Sequence, residues 1–199
     1  MTITKIEMEL DDSQSTNDKN IIRTLNHQNI NTVIEEYLLS IENIGSSIIG
    51  LQGIKLFQSL KRDKIRRGPY PHVTLFEAAN RIMTDLVILR GVKWLIESPK
   101  LPFDEYLVEY GNEDNNDHDI TAENSSKRFS GEAFNVAPSF YQGKKNSMLK
   151  KLRMANPIAD YNFIIVNADA IKPGYHPKIK DHEYYLFVNI ESGSAKLFH

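Results

Sequence analysis

The spacing of apolar residues changes near Pro102, which divides the chain into a helical part and a part that combines strands with one helix. Over residues 31–62 apolar residues recur every three to four positions, and the segment from about Thr74 to Glu97 has the same period. Thr74 and Glu77 form a capping-box pattern at the start of this second segment. The glycines expected to interrupt the first segment are Gly45, Gly50 and Gly53. The region before Pro102 is therefore predicted to be mainly helical.

After Pro102, short apolar runs separated by turn-forming residues predict strands. The predicted strands are 106–110, 117–123, 129–136, 162–167 and 184–190, and one helix is predicted over 140–154. From Thr74 onward the predicted order is therefore helix, three strands, helix and two strands. This order favours an α/β (α+β) fold with a mixed central sheet, flanking helices and an N-terminal helical extension.

The composition and the periodicity together divide the chain into three consecutive regions. Residues 1–28 are polar and rich in Asp, Asn, Ser and Thr, which predicts a loose N-terminal arm. Residues 29–72 are predicted to form the helical extension, and residues 73–199 the α/β core. A hydrophobic content of 41% and a charged content of 25% are ordinary for a soluble globular protein.

Several functions are excluded by what the sequence lacks. The chain has no cysteine, so it has no disulfide, no thiolate zinc site and no cysteine nucleophile. Its six histidines lack the HxxxH and HExxH spacings, and no P-loop, nucleophile elbow or Rossmann fingerprint is present. No signal-peptide core and no run of about 18 apolar residues is found. We therefore predict a cytoplasmic protein without a membrane partner.

The net charge of −2 conceals a segregation of charge along the chain. The basic residues cluster in two blocks, which are Lys55, Lys61, Arg62, Lys64, Arg66 and Arg67, and then Lys144, Lys145, Lys150, Lys151 and Arg153. The acidic stretch between them contains Asp104, Glu105, Glu109, Glu113, Asp114, Asp117, Asp119 and Glu123. Solvated surface is one explanation of such runs. The other is a nuclease, in which cations position the phosphate backbone and carboxylates hold a metal ion.

Two carboxylates are predicted to face each other across a hairpin. A two-residue turn at Ser125-Ser126 sets Asp119 opposite Glu132, and opposed residues of an antiparallel pair have Cβ atoms about 4.5–5.5 Å apart. Such a pair resists joint ionisation unless a cation lies between them, and hard oxygen ligands favour Mg²⁺. The alternative is a pair of ordinary solvent-facing strand residues. His118, as the neighbour of Asp119 in a strand, is expected on the opposite face.

The predicted order, with an acidic residue in the second strand and another in the third, resembles the PD-(D/E)XK nuclease superfamily, the restriction endonuclease-like fold. The resemblance covers roughly residues 74–190. It implies that Asp119 and Glu132 bind Mg²⁺, with Mn²⁺ as a possible substitute, and that the backbone carbonyl of Ala133 adds a ligand. It also makes Glu77, on the helix before the sheet, a candidate third carboxylate; a helix-capping role is the other explanation of Glu77.

One position departs from the family pattern. The family has a lysine two residues beyond the third-strand acid, where this chain has Phe134. One explanation is that the lysine has moved to the following helix, with Lys144 or Lys145 as first candidates and Gln142 next. A second is that bound cations alone activate the water. A third is that the site has decayed.

The resemblance thus implies a Mg²⁺-dependent endodeoxyribonuclease that hydrolyses phosphodiester bonds in DNA, as a homodimer where two strands are cut. The alternative is a catalytically inactive nuclease-like module that binds nucleic acid or a protein partner. A further possibility is an α+β interaction domain without metal, for which Asp119 and Glu132 would lie on opposite faces of the sheet.

Overall fold

The computed structural model describes residues 23–111 and 117–199, and this part of the chain contains four α-helices and one seven-stranded mixed sheet. The helices are α1 (Ile30–Ile41), α2 (Gly53–Arg62), α3 (Leu75–Glu97) and α4 (Tyr141–Met154). The strands are β1 (Thr24–Asn26), β2 (Glu105–Val108), β3 (Ile120–Glu123), β4 (Arg128–Phe134), β5 (Tyr161–Asn167), β6 (Glu183–Val188) and β7 (Ala195–Phe198). The predicted mixed α/β class is confirmed.

The strands lie in the sheet in the order in which they occur in the chain. The pairs β1–β2, β2–β3 and β3–β4 are antiparallel. Strands β4, β5 and β6 run parallel to one another, and β7 returns antiparallel to β6. Helix α4 connects the parallel strands β4 and β5, as a parallel crossover requires. The order α3, β2, β3, β4, α4, β5 is the one predicted from the sequence.

The side chains of β5 alternate between two apolar clusters, so both faces of the central sheet are covered. Phe163 and Ile165 pack in the larger cluster with α1 and α3, whereas Ile164 and Val166 pack in the smaller one with α4. A strand buried on both faces is expected to be continuously apolar, which is the pattern that identified this strand in the sequence. The contribution of α1 to the larger cluster joins the helical region to the sheet in one core.

Helix α3 approaches the sheet closely at Gly91. A Cβ at this position would lie 2.8 Å from Cγ2 of Ile165, so only glycine fits without displacing a buried side chain. The Thr74 hydroxyl at the start of α3 accepts a hydrogen bond from the Glu77 backbone N–H at 3.3 Å, as the capping-box pattern predicted. Helix α3 is thereby fixed both at its N-terminus and against the sheet.

Some predicted boundaries were wrong. Residues Thr24–Asn26, predicted as part of a loose arm, form β1 at the edge of the sheet, while residues 1–22 of that arm lie outside the described residues. Residues Ile44–Ile48 form a 3-10 helix between α1 and α2, which agrees with the predicted interruption. Strand β7 was not predicted. Among the described residues, no helix has both the length and the apolar character needed to cross a membrane.

Candidate active site

The hairpin of β3 and β4 has the register predicted from its turn. Ile120 pairs with Gly131 and Glu123 with Arg128, so one further step sets Asp119 opposite Glu132. Both side chains line one cavity, which contradicts the possibility that they lie on opposite faces of the sheet. The structure therefore brings the two predicted carboxylates together.

Asp119 lies just before β3 in a partly buried position. Its Oδ2 accepts a hydrogen bond from the backbone N–H of Ala133 at 2.7 Å. Burial, and then the charge of Glu132, raise the pKa of Asp119 to about 6, although the Ala133 N–H, Lys151 and Lys144 act in the opposite direction. The carboxylate form of Asp119 is therefore only partly compensated by the protein itself.

Glu132 is 1% exposed and is held by two cationic or polar partners. His118 Nδ1 lies 2.7 Å from its Oε1, and Lys151 Nζ lies 2.9 Å from Oε1 and 3.1 Å from Oε2. The expectation that His118 points to the opposite face was wrong. Residue 118 precedes β3, which begins at Ile120, so the alternation of strand side chains does not apply to it.

The two carboxylates line a cavity of about 970 Å³ between α3, the hairpin and α4. The cationic side chains that line it are Arg81, Lys144 and Lys151. Lys144 and Lys151, together with Met148, are spaced by four and three residues, and such positions share one face of a helix. The spacing of Lys144 and Lys151 in the sequence is therefore a signal that both lysines face the same site.

Two residues proposed from the sequence are placed elsewhere. Lys145 and Gln142 do not line this cavity; Lys145 Nζ donates to Gln142 Oε1 at 2.9 Å and to the Tyr175 hydroxyl at 3.3 Å. The physical reason is helical geometry, since successive residues point about 100° apart and only Lys144 of the lysine pair can face the carboxylates.

Glu77 lines the cavity but is engaged in another interaction. Its carboxylate forms an ion pair with Arg81, one turn further along α3, and its side chain is 46% exposed. Among the described residues, no three His, Asp or Glu side chains are close enough to form a ligand cluster. Glu77 is therefore brought to the cavity without joining Asp119 and Glu132. Glu113 and Asp114 of the acidic stretch lie outside the described residues.

The donor set fits a magnesium ion held by two carboxylates. Mg²⁺ prefers oxygen ligands, keeps several waters and is commonly bound through one or two carboxylates together with substrate phosphates. Asp119 and Glu132 supply two such groups, and a bound cation would oppose the effects of burial and of the Glu132 charge that raise the pKa of Asp119. A third carboxylate is not required for this mode of binding.

Phe134, at the position where the PD-(D/E)XK pattern predicts a lysine, is 2% exposed. Its ring lies 6.5 Å from that of Tyr141, and it packs in the cluster between the sheet and α4. No cation reaches the carboxylates from this strand position; Lys151 reaches Glu132 from α4 instead.

Comparison of the chain with protein-family models, with curated proteins and with solved structures gave no match in any of the three. The function is therefore inferred from the geometry and chemistry of the cavity.

Proposed function

We propose that this protein is a Mg²⁺-dependent endodeoxyribonuclease of the PD-(D/E)XK, restriction endonuclease-like type. The observation that carries the proposal is the pairing of Asp119 with Glu132 in one cavity that is also lined by Lys144 and Lys151. Paired carboxylates with adjacent cations are what hydrolysis of a phosphodiester requires, because the metal and the phosphate must be held side by side.

The residues of the cavity divide into two roles. Asp119 and Glu132 would hold the ion, with the backbone carbonyl of Ala133 as the third protein ligand implied by the family. When bound, the ion lowers the pKa of a water molecule and polarises the phosphoryl oxygens. The ammonium groups of Lys144 and Lys151 bind the phosphate and stabilise the charge that develops as water adds and a P–O bond breaks.

Lys151 takes the place of the lysine that the family has on the third strand. Its Nζ is already within hydrogen-bond distance of both carboxylate oxygens of Glu132. Its side chain is 43% exposed, so it remains accessible to a phosphate in the cavity. A homodimer belongs to the same proposal, because two such sites are needed to cut both strands at once.

The test is a nicking assay on supercoiled plasmid with Mg²⁺, with Mn²⁺ and with EDTA. Wild type is expected to nick the plasmid with either metal and not with EDTA, and Glu132→Gln is expected to abolish nicking. Lys144→Gln should lower the rate by about 100-fold, as for removal of one positioned donor. Lys150→Gln is the matched control, since this exposed lysine of the same helix lies outside the cavity.

Two results would contradict the proposal. Cleavage retained in Glu132→Gln would remove the metal site from the mechanism. An equal loss of nicking in Lys144→Gln and Lys150→Gln would show that the net charge of the protein, and not the position of Lys144 in the cavity, sets the rate. Far-UV circular dichroism of each variant checks that the fold is kept.

One observation favours the inactive module as a second candidate. Glu132 already has Lys151 and His118 as partners, so its charge is compensated without a metal, and Phe134 replaces the family lysine. This candidate predicts DNA binding that is independent of Mg²⁺ and unchanged by Glu132→Gln, with no nicking under any metal condition.

A further inference from the structure

A second cavity, of about 420 Å³, lies on the same face of the sheet as α4, near β6 and β7, and we call it the aromatic cavity. It is formed by the loop after β5, by the end of β6 and by β7. Its volume is within the range of cavities that hold small ligands, roughly 300–1,000 Å³. None of the residues that line it belongs to the cavity of Asp119 and Glu132.

The pairing of β6 with β7 puts aromatic and basic side chains on one face. Phe187 pairs with Lys196 and Tyr185 with Phe198, and residues two apart on a strand share a face. The rings of Phe187 and Phe198 are 5.0 Å apart, and Tyr175 adds a third ring 6.4 Å from Phe187. The cavity thus presents aromatic rings from three segments of the chain.

Two of these rings are held in place by lysine side chains. Lys196 Nζ lies 4.7 Å from the centre of the Phe198 ring. The Tyr175 hydroxyl accepts a hydrogen bond from Lys145 Nζ at 3.3 Å. Phe198 and Tyr175 are partly exposed, so both have ring surface that a ligand can cover. Rings fixed in this way form a stacking platform at low entropic cost.

The charge of the aromatic cavity is of one sign. Over residues 23–111 and 117–199, the charged side chains that line it are Lys172 and Lys196, and both are exposed. Aromatic faces bind flat apolar groups, and two lysines without a carboxylate favour an anion. A ligand that uses both the aromatic rings and the two lysines must carry a flat aromatic group and a negative charge.

We propose that the aromatic cavity binds a nucleotide, with its base stacked on Phe198 and Tyr175 and its phosphate paired with Lys172 and Lys196. Stacking on aromatic side chains with cations along the backbone is how proteins bind nucleotide units without reading the sequence. The ligand is either a free mononucleotide or one nucleotide of a single strand.

The first turns of α4 connect this cavity to the carboxylate site. Lys144 lines the first cavity, whereas the adjacent Lys145 holds Tyr175 at the second. The nucleotide site itself does not depend on the proposed nuclease activity. Its binding is therefore measured in EDTA and repeated in Glu132→Gln, so that failure of cleavage and failure of nucleotide binding are separate results.

The experiment is isothermal titration calorimetry of the full chain with adenosine monophosphate, adenosine and inorganic phosphate. The mononucleotide is expected to bind more tightly than either of its parts. Phe198→Leu, which keeps an apolar side chain without a stacking face, should weaken binding by about tenfold. Lys196→Gln should weaken it by about threefold to fivefold. Lys178→Gln, an exposed lysine outside the cavity, is the matched control and should bind as wild type does.

The proposal is overturned if the mononucleotide binds no better than phosphate, or if Lys196→Gln and Lys178→Gln bind it equally. Lys196 is exposed, so this comparison remains decisive even if Phe198→Leu does not fold. A short single-stranded oligonucleotide is the last arm. Tighter binding of the oligonucleotide than of the mononucleotide, if Lys196→Gln weakens it, assigns the site to a strand. Tighter binding that Lys196→Gln leaves unchanged places the oligonucleotide elsewhere and overturns the strand assignment, and weaker binding assigns the site to a free nucleotide.

Discussion

Replacing Asp119 with asparagine is expected to make the protein more stable at neutral pH, although it removes a proposed metal ligand. The pKa of Asp119 is raised from 3.8 to about 6, first by burial and then by the charge of Glu132. Asparagine is neutral and nearly isosteric, and its Oδ1 can still accept the hydrogen bond that Oδ2 of Asp119 accepts from the Ala133 N–H. The variant therefore keeps the contact and loses the unfavourable charge.

The magnitude follows from linkage between proton binding and folding. Between pH 3.8 and about 6 the folded state binds more protons at Asp119 than the unfolded state does, so the free energy of unfolding falls as pH rises through this window. Each pKa unit corresponds to about 1.4 kcal/mol, so above this window the raised pKa of Asp119 lowers the free energy of unfolding by about 3 kcal/mol. Asp119→Asn should recover about this amount at about pH 7 and nothing below about pH 4.

The assay is urea unfolding of wild type and variant at a series of pH values. Trp94 is the chain's one tryptophan and packs against the larger apolar cluster, so its fluorescence reports the loss of that core. The difference in unfolding free energy between the two proteins is expected to grow as pH rises through the window. Added Mg²⁺ should then stabilise wild type and leave Asp119→Asn unchanged, because a ligand stabilises only the form that binds it.

Two outcomes would refute this reasoning. A variant less stable than wild type at neutral pH would show that the carboxylate of Asp119 is well compensated in the folded protein. A gain that is constant over the whole pH range would show that the effect has another origin than the ionisation of Asp119. Glu132→Gln tests whether the charge of Glu132 contributes to the raised pKa of Asp119. Without this charge, the upper limit of the pH window should move to lower pH.

Two further substitutions test the packing around the site. Lys151→Met leaves the buried carboxylate of Glu132 with one partner fewer and should lower the free energy of unfolding in urea by about 1–3 kcal/mol. Lys150 is an exposed neighbour on the same helix, and Lys150→Met should change this free energy by less than about 0.5 kcal/mol. Equal effects would contradict the ion pair. Gly91→Ala brings a Cβ to 2.8 Å from Cγ2 of Ile165 and should cost about 1–3 kcal/mol despite the better helix propensity of alanine. An unchanged or raised unfolding midpoint would show that α3 can move away from the sheet.

The register of the hairpin could be predicted from the sequence because a local interaction fixes it. Asn124 Oδ1 accepts hydrogen bonds from the backbone N–H groups of Ser126 and Lys127, so the asparagine side chain closes the two-residue turn. Once a turn is fixed, every pair in the two strands follows from it. The opposition of Asp119 and Glu132 is therefore encoded within a segment of fewer than twenty residues.

Strands β1 and β7 could not be predicted, because they are short strands at the sheet edges. Three and four residues respectively are too few to display a period. In addition, β1 is defined by its pairing with β2, which is distant in the sequence. The contacts of Glu132 were missed for a similar reason. Lys151 reaches it from another element, and His118 reaches it from an irregular segment, so neither follows from strand alternation.

The phenylalanine at position 134, where the PD-(D/E)XK pattern has a lysine, is explained by where its side chain lies. Residue 134 is two positions beyond Glu132 on β4, on the face that α4 covers, and its ring is buried beside Tyr141. A lysine there would have to bring its charge into an apolar cluster, which is costly unless it is paired. A lysine on α4 avoids this cost, because the side chain of Lys151 is 43% exposed and still reaches Glu132. The packing of α4 on the sheet thus disfavours a cation at this strand position, while Lys151 brings one to Glu132 from the helix. Phe134 is for this reason compatible with the proposed chemistry.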